Sequence, residues 1–154
     1  MTRDFIEIND FTILVEEATS TNVVVDACRF DEPVVAVAFY GSGNVDLKVN
    51  YGSQSKAFNY TKGLALSFYA DSEVEFEHTV SPEKPLRCVL IATAMRNLES
   101  LPNEEGEIFS SLLSELVNPS DHYVEGPQFF MTPEMDRIVD SVFNMKYHGK
   151  TKMM

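Results

Sequence analysis

The sequence has few basic residues and no long apolar run. It contains 12 Lys and Arg against 24 Asp and Glu, which gives a formal net charge of -12 at pH 7. A field of that sign repels polyanions, so we expect this chain alone to bind neither DNA nor an anionic membrane surface. No run approaches the roughly 18 apolar residues of a membrane-spanning helix, and residues 1–8 lack the features of a signal peptide. These absences predict a cytoplasmic protein without membrane contact.

Cysteine and histidine are also scarce, with two and three copies. Cys28 and Cys88 lie inside apolar runs, which favours buried free thiols in a reducing compartment over a disulfide. The three histidines share no short spacing of the kind found in metal sites. On a strand, His78 would lie opposite the acidic face formed by Glu73, Glu75 and Glu77, and that face is predicted to be solvated. The sequence therefore predicts no metal and no other cofactor.

Motifs of catalysis are missing as well. There is no Gly-x-Ser-x-Gly, no phosphate-binding glycine loop, no dinucleotide fingerprint and no Cys-x-x-Cys. Gly41-Ser42-Gly43 lacks the spacing of a nucleotide-binding motif and predicts only a turn. Because no convergent set of polar residues is visible, we expect a protein that is not an enzyme.

What the sequence does contain is a succession of short strand patterns. Apolar residues alternate with polar ones over residues 45–51, which is typical of a half-buried strand. With the turn at residues 41–44, this strand and residues 33–40 predict a hairpin. Similar runs recur between residues 11 and 93 with turn residues between them and no helical pattern. We therefore predict a mainly β fold, an antiparallel barrel or sandwich.

The pattern becomes helical in the last third of the chain. Residues 104–117 carry an apolar stripe at helical spacing, and residues 133–145 are predicted to form a second helix with Thr132 as its N-cap and Pro133 in its first turn. Residues 96–101 are compatible with a short third helix. The stripe of the 133–145 helix consists of Ile138, Val139, Val142 and Phe143. Such a stripe either covers the sheet or docks against a second copy in a dimer.

Aromatic side chains are concentrated in the predicted strands. A barrel of about eight strands can just enclose one small ligand, and aromatic walls suit such a pocket. We take five residues as candidate ligand contacts: Phe39, Tyr51, Tyr60, Phe68 and Phe76. The alternative is that these rings only fill the core.

One segment resembles a known family. Residues 131–143, Met-Thr-Pro-Glu-Met-Asp-Arg-Ile-Val-Asp-Ser-Val-Phe, followed by Tyr147-His148-Gly149, resemble a stretch of AraC-family transcription regulators, most closely the PchR-like subgroup. More weakly, residues 90–94 and 98–101 resemble the last strand and short helix of their sensor domains. The resemblance implies a cupin-like β-barrel with appended helices. It divides the chain into a sensor core, 1–101, and a helical extension, 102–154.

The same resemblance implies a role and partners. The sensor domains of this family bind an effector, dimerise, or do both, and their DNA contacts lie in a C-terminal helix-turn-helix domain. We expect a small-molecule effector, a homodimer, and DNA only through that domain, which is absent here.

Two alternatives stay open. One is a stand-alone cupin-like enzyme of the sugar isomerase type, and the other is a dimerisation module without a ligand. Metal-binding cupins use two closely spaced histidines and a carboxylate, which this sequence lacks. The sequence stops where a further helix of the regulators would begin, which favours a regulator fragment or a dimerisation module over a complete enzyme.

Overall fold

The computed structural model describes residues 2–8, 10–98 and 119–149, and this part of the chain contains ten strands and two helices. The strands are β1 (Thr2–Ile8), β2 (Phe11–Ala18), β3 (Val24–Cys28), β4 (Val34–Tyr40), β5 (Asp46–Tyr51), β6 (Gln54–Phe58), β7 (Leu64–Ala70), β8 (Glu75–Val80), β9 (Leu86–Ala94) and β10 (Tyr123–Phe130). The helices are α1 (Met95–Leu98) and α2 (Pro133–Gly149). The predicted helix at residues 104–117 lies outside the described residues. Neither α1 nor α2 has the length and apolar character needed to span a membrane.

The strands form two sheets that face each other. The larger has six strands in the order β1-β2-β9-β4-β7-β10, and the smaller has four in the order β3-β8-β5-β6. Every pair of neighbouring strands is antiparallel. The predicted fold class, a mainly β antiparallel sandwich, is therefore confirmed.

The core lies between the sheets, because side chains alternate inward and outward along each strand. Val45 and Val49 are fully buried, as the period-2 pattern of residues 45–51 predicts. From the opposite sheet, Leu66 and Phe68 pack into the same cluster.

The predicted hairpin of residues 33–40 with 45–51 is wrong. β4 pairs with β7 and β9, whereas β5 pairs with β6 and β8 in the other sheet. Alternation fixes which side of a strand faces the core but not which strand lies beside it, and here both strands face one core from opposite sheets. In the segment that connects β4 to β5, Asn44 has a φ of 58°. Its Oδ1 accepts hydrogen bonds from the backbone N–H groups of Thr61 and Lys62.

Ion pairs connect the two sheets along both seams between their edge strands. At the β1–β3 seam, the guanidinium of Arg3 lies 2.7 Å from a carboxylate oxygen of Asp26 and 2.9 Å from one of Glu16. At the β6–β10 seam, the amino group of Lys56 pairs with the carboxylate of Glu125. Among the described strands, no backbone ladder joins β1 to β3 or β6 to β10. Side chains therefore close the sandwich into a barrel.

Strand β10 was not predicted, and it falls within the segment assigned to the helical extension. It pairs with β7 at the edge of the larger sheet, with a register shift between Glu125 and Gln128. Gly126 and Pro127 lie at this irregularity, and an edge strand tolerates proline there because one side of it makes no ladder hydrogen bonds. The two residues interrupt the alternation that would otherwise predict a strand.

Helix α2 begins as predicted. The Thr132 hydroxyl accepts a hydrogen bond from the backbone N–H of Met135 at 3.2 Å, which is the geometry of an N-cap. Val139 and Phe143 are buried on the outer face of the larger sheet against Val15 and Val89. Ile138, by contrast, is 64% exposed. The side chain of Val142 is not among those described. The Val139 and Phe143 part of the stripe thus covers the sheet.

Candidate ligand-binding cavity inside the barrel

A cavity of about 170 Å³ lies between the two sheets near the β1–β3 seam. Inward-facing side chains of both sheets form its largely apolar wall, including Leu14, Phe30, Ala38, Leu47, Leu66, Phe68, Phe76 and Leu90. The rings of Phe68 and Phe76 lie 5.2 Å apart, and Phe30 packs edge-on to Phe76 at 5.6 Å. This wall suits the apolar part of a small ligand.

A polar cluster interrupts the apolar wall. In the antiparallel register Asp26 on β3 lies directly opposite His78 on β8, and Glu16 on β2 lies opposite Cys88 on β9. One nitrogen of His78 and one carboxylate oxygen each of Glu16 and Asp26 lie within 4.8 Å of one another. Glu16 and His78 are 3% and 4% exposed, so both sheets contribute a buried polar group.

One ring nitrogen of His78 is hydrogen-bonded within the protein, and the other has no hydrogen-bond partner among the described residues. Its Nε2 lies 2.9 Å from the hydroxyl of Tyr40 and shares a hydrogen bond with it. Its Nδ1 is buried and has no hydrogen-bond partner among the described residues. Burial lowers the pKa of His78, which keeps the ring neutral at pH 7. An unpaired buried polar atom costs about 1–3 kcal/mol, and a ligand that hydrogen-bonds to Nδ1 would remove that cost.

Arg3 supplies the cation of the cluster. Its Nε and one terminal nitrogen both donate to Glu16, at 3.2 and 2.9 Å, and the same terminal nitrogen donates to Asp26 at 2.7 Å. The Arg3 side chain is 30% exposed and reaches the carboxylates from the seam, whereas the Glu16 side chain is 4% exposed. Two carboxylates thus share one guanidinium.

Both cysteines line the cavity as protonated thiols. Burial raises the pKa of Cys28 to about 11, with the nearby Glu16 adding to the effect. Burial also raises the pKa of Cys88 well above its usual value. Only the thiolate is nucleophilic, so neither cysteine is poised to attack a substrate at neutral pH.

The cavity adjoins a wider opening of about 620 Å³. The two spaces share Phe5, Leu14, Phe30 and Leu90 in their walls, and we call the wider one the mouth because it lies between the cavity and solvent-exposed residues such as Phe5. Described carboxylates at the mouth belong to Glu7, Asp10, Asp31 and Glu32, while Arg96 is the basic residue there and pairs with Glu32 at 2.7 Å. The mouth is therefore acidic, with Phe5 65% exposed at its rim.

The five aromatic residues chosen from the sequence are not all at the cavity. Phe68 and Phe76 line it. Tyr51 packs against the core with its ring 5.4 Å from that of Tyr123. Phe39 faces outward and packs beside Val139 and Phe143 of α2, and Tyr60 is 60% exposed. Two of the five candidates thus lie where a ligand in the cavity would touch them.

The sequence analysis missed the polar cluster, although one signal was present. Leu14, Glu16 and Ala18 occupy alternate positions of β2, so the pattern places a charged residue among inward-facing ones. Histidine spacing and the acidic face of the same strand were the only signals weighed for a metal site, and neither includes Glu16 or Asp26. His78 instead meets carboxylates from β2 and β3, about 60 and 50 positions earlier in the sequence. Their oxygen and nitrogen donors are of a kind zinc accepts, but Arg3 already neutralises part of the carboxylate charge.

No family model and no curated protein sequence matches this chain. Among solved structures it is similar to hazelnut (Corylus avellana) vicilin, at 15% identity and a TM-score of 0.45 over 86% of this chain and 39% of that one. The 7S globulin of Momordica charantia is 10% identical, with a TM-score of 0.45 over 79% of this chain and 40% of that one. A cupin-2 domain protein of Shewanella frigidimarina is 13% identical, with a TM-score of 0.35 over 60% of this chain and 79% of that one. This chain spans about two fifths of the length of the two plant proteins. At such identities the likeness says nothing about ligands or partners of this chain.

Proposed function

We propose that this chain is a cytoplasmic sensor domain whose barrel binds a small-molecule effector for an AraC-type transcription regulator. The observation that carries the proposal is the interior cavity, because one of its lining residues, His78, has a buried Nδ1 without a protein partner among the described residues. Buried polar atoms are almost always hydrogen-bonded. A ligand in the cavity would supply the missing partner.

The chemistry of the cluster favours binding over catalysis. The two thiols are held protonated, and burial likewise raises the pKa of the Tyr40 hydroxyl well above its usual value. His78 is neutral and already shares one nitrogen with Tyr40. A site for covalent or acid–base chemistry has its groups tuned towards neutral pH, whereas these shifts run away from it. We therefore propose that the chain is not an enzyme.

Two neighbouring strands provide a route from the cavity to α2. Glu16 and Cys88 face each other across the β2–β9 ladder and line the cavity, while the next pair, Val15 and Val89, points outward. That outward pair contacts the buried side of α2. A ligand that shifts the inner pair moves the surface on which the helix rests, and it favours one helix position if it binds that arrangement more tightly.

The regulatory role draws support from the sequence resemblance of residues 131–149, of which 133–149 form α2. In this proposal a second copy forms a homodimer, and DNA is contacted only through a C-terminal helix-turn-helix domain. The gene tests this part directly. A reading frame that continues beyond residue 154 by about a hundred residues with two helix-turn-helix patterns agrees with it, and a stop codon there contradicts it.

Ligand binding is tested by thermal unfolding of the chain with a panel of sugars, amino acids, amines and carboxylates. A compound at a hundredfold excess over its Kd adds about 2.7 kcal/mol to the free energy of unfolding, which raises the Tm of a domain of this size by about 5–10 °C. Ala38→Leu fills the cavity and should abolish the shift. Ala36 is also buried and faces inward from β4 but does not line the cavity, so Ala36→Leu is the matched control.

The expected result is a Tm shift that Ala38→Leu loses and Ala36→Leu keeps. If no compound shifts the Tm of the wild-type chain, or if Ala38→Leu responds as strongly as wild type, the proposed binding function is wrong.

A further inference from the structure

We infer that the effector carries a positively charged nitrogen, as in an amine, amidine or guanidine, on a small apolar body. This inference rests on the proposed function and names the chemical class of its ligand. Three observations converge on it: the charge balance of the Glu16–Asp26–Arg3 cluster, the position of Arg3 between its two carboxylates, and the acidic and aromatic residues of the mouth.

The cluster of Glu16, Asp26 and Arg3 has one carboxylate more than it has cations; Glu16 and Arg3 lie in the wall of the cavity, and Asp26 adjoins it through Arg3. Glu16 and Asp26 converge on the same point, and Arg3 is the one guanidinium bound to both. Arg29 also lines the cavity, but it is directed to other partners: it lies 3.7 Å from the Glu75 carboxylate and donates to the backbone oxygen of Glu73. The site therefore stabilises a cation and disfavours an anion.

Arg3 itself shows what the carboxylates recognise. Its guanidinium makes three hydrogen bonds to them. Because Arg3 extends from an edge strand and is partly exposed, while the Glu16 carboxylate is buried, the guanidinium can withdraw to solvent as another cation enters. The incoming N–H groups would meet Glu16, Asp26 and the ring of His78, three polar groups that lie within 4.8 Å of one another.

The Nε2-protonated tautomer of His78 favours the same ligand. When its Nε2–H donates to the Tyr40 oxygen, the neutral ring leaves Nδ1 as a hydrogen-bond acceptor. An ammonium or amidinium supplies donors only, and so complements a cluster made of acceptors.

The mouth selects for a cation with an apolar part. Its described carboxylates outnumber its basic side chains, and the field of the whole chain has the same sign. Such a field raises the local concentration of cations. Phe5 and Phe11 are exposed at this opening and offer an apolar surface that a bare metal ion would not use.

The probes are benzamidine, its neutral isostere benzamide, its anionic counterpart benzoate, and zinc chloride, each titrated calorimetrically into the chain. Four proteins are compared: wild type, Arg3→Met, Asp26→Asn and Lys56→Met. Arg3→Met removes the built-in competitor. Lys56→Met removes a cation from the opposite seam, so it changes the net charge equally without touching the cavity.

We expect one benzamidine per chain, with benzamide at least about tenfold weaker, as the loss of one charge-assisted hydrogen bond implies, and no binding of benzoate. Arg3→Met should bind benzamidine about tenfold more tightly than wild type, Lys56→Met should equal wild type, and Asp26→Asn should bind more weakly. A matching loss in Glu16→Gln would place the second carboxylate at the ligand.

Several outcomes overturn the inference. Benzamide that binds as tightly as benzamidine shows that charge is not recognised, and equal affinities of Arg3→Met and Lys56→Met show that Arg3 does not mark the site. Zinc that binds Arg3→Met one to one and more tightly than benzamidine assigns the cluster to a metal. If a neutral or anionic compound instead gives a Tm shift that Ala38→Leu abolishes, only the charge class is wrong. If Ala38→Leu binds benzamidine like wild type, the cavity is not the site and the proposed function fails too.

Discussion

Truncating Phe143 to alanine should detach α2 from the barrel while leaving the barrel folded. Phe143 is 1% exposed and packs with Val15, Val89 and Val139. Removing a buried phenyl ring costs about 3–5 kcal/mol. The guanidinium carbon of Arg87 also lies 4.3 Å from the ring centroid, a contact worth about 0.5–2 kcal/mol. The two energies are not additive, and the loss of the buried ring determines the size of the expected effect.

The contacts of the other described α2 side chains are weaker than those of Phe143. Val139 buries one medium side chain, worth about 1.5–3 kcal/mol. The ion pair between Arg87 and Asp140 spans 3.2 Å with the aspartate more than half exposed, and such surface pairs contribute about 0–1 kcal/mol. The barrel core lies on the other side of the larger sheet and loses nothing. The loss should therefore appear as local opening of the helix.

Amide hydrogen exchange measures this opening residue by residue. A loss of about 3 kcal/mol corresponds to a more than hundredfold increase in the exchange rate of α2 amides, with β4 and β7 nearly unchanged. Ile138→Ala is the matched control, since Ile138 is a large apolar residue on the same helix but 64% exposed, and it should change stability by no more than about 0.5 kcal/mol. Equal α2 exchange in Phe143→Ala and Ile138→Ala refutes the reasoning.

The remaining predictions concern hydrogen bonds of the two described histidine side chains. Tyr40→Phe leaves both ring nitrogens of His78 unpaired and should lower the free energy of unfolding by about 1–3 kcal/mol. The double variant Tyr40→Phe, His78→Phe should lower it by less, because no buried imidazole is left without a partner. Denaturant unfolding measures these changes, and a double-variant loss equal to the sum of the two single-variant losses contradicts the account. The hydrogen bond that His122 Nδ1 donates to the Asp71 carboxylate raises the pKa of His122 above 6.5, so its stabilisation is full below that value and is lost as pH rises through the folded pKa. Asp71→Asn should lower the His122 pKa in an NMR titration and reduce stability only at acidic pH; an unchanged titration would exclude the pair.

Much of the fold follows from the sequence because its determinants are local. Alternation over residues 45–51 depends on the strand period alone, and it buries Val45 and Val49 as predicted. The cap at Thr132 depends on four consecutive residues. Strand partners are set by the whole sheet, however, and that is why β4 and β5 were wrongly paired with each other.

The cavity was predictable only in its apolar part. Alternation along a strand places aromatic residues on one face or the other; Phe68 and Phe76 face the cavity, whereas Phe39 faces α2. The polar cluster needs three-dimensional information, because Glu16, Asp26 and His78 come from three strands and two sheets. An inward position for Glu16 is visible in the sequence, but the approach of Asp26 and His78 from the other sheet is not.

The two seams have an evolutionary consequence. A seam made of backbone ladders changes only when a whole strand shifts its register, and such a slip turns every side chain to the wrong face. A seam made of Arg3 with Asp26, or of Lys56 with Glu125, changes with one substitution. Mutation can therefore loosen or tighten either seam in single steps while the core between the sheets stays intact.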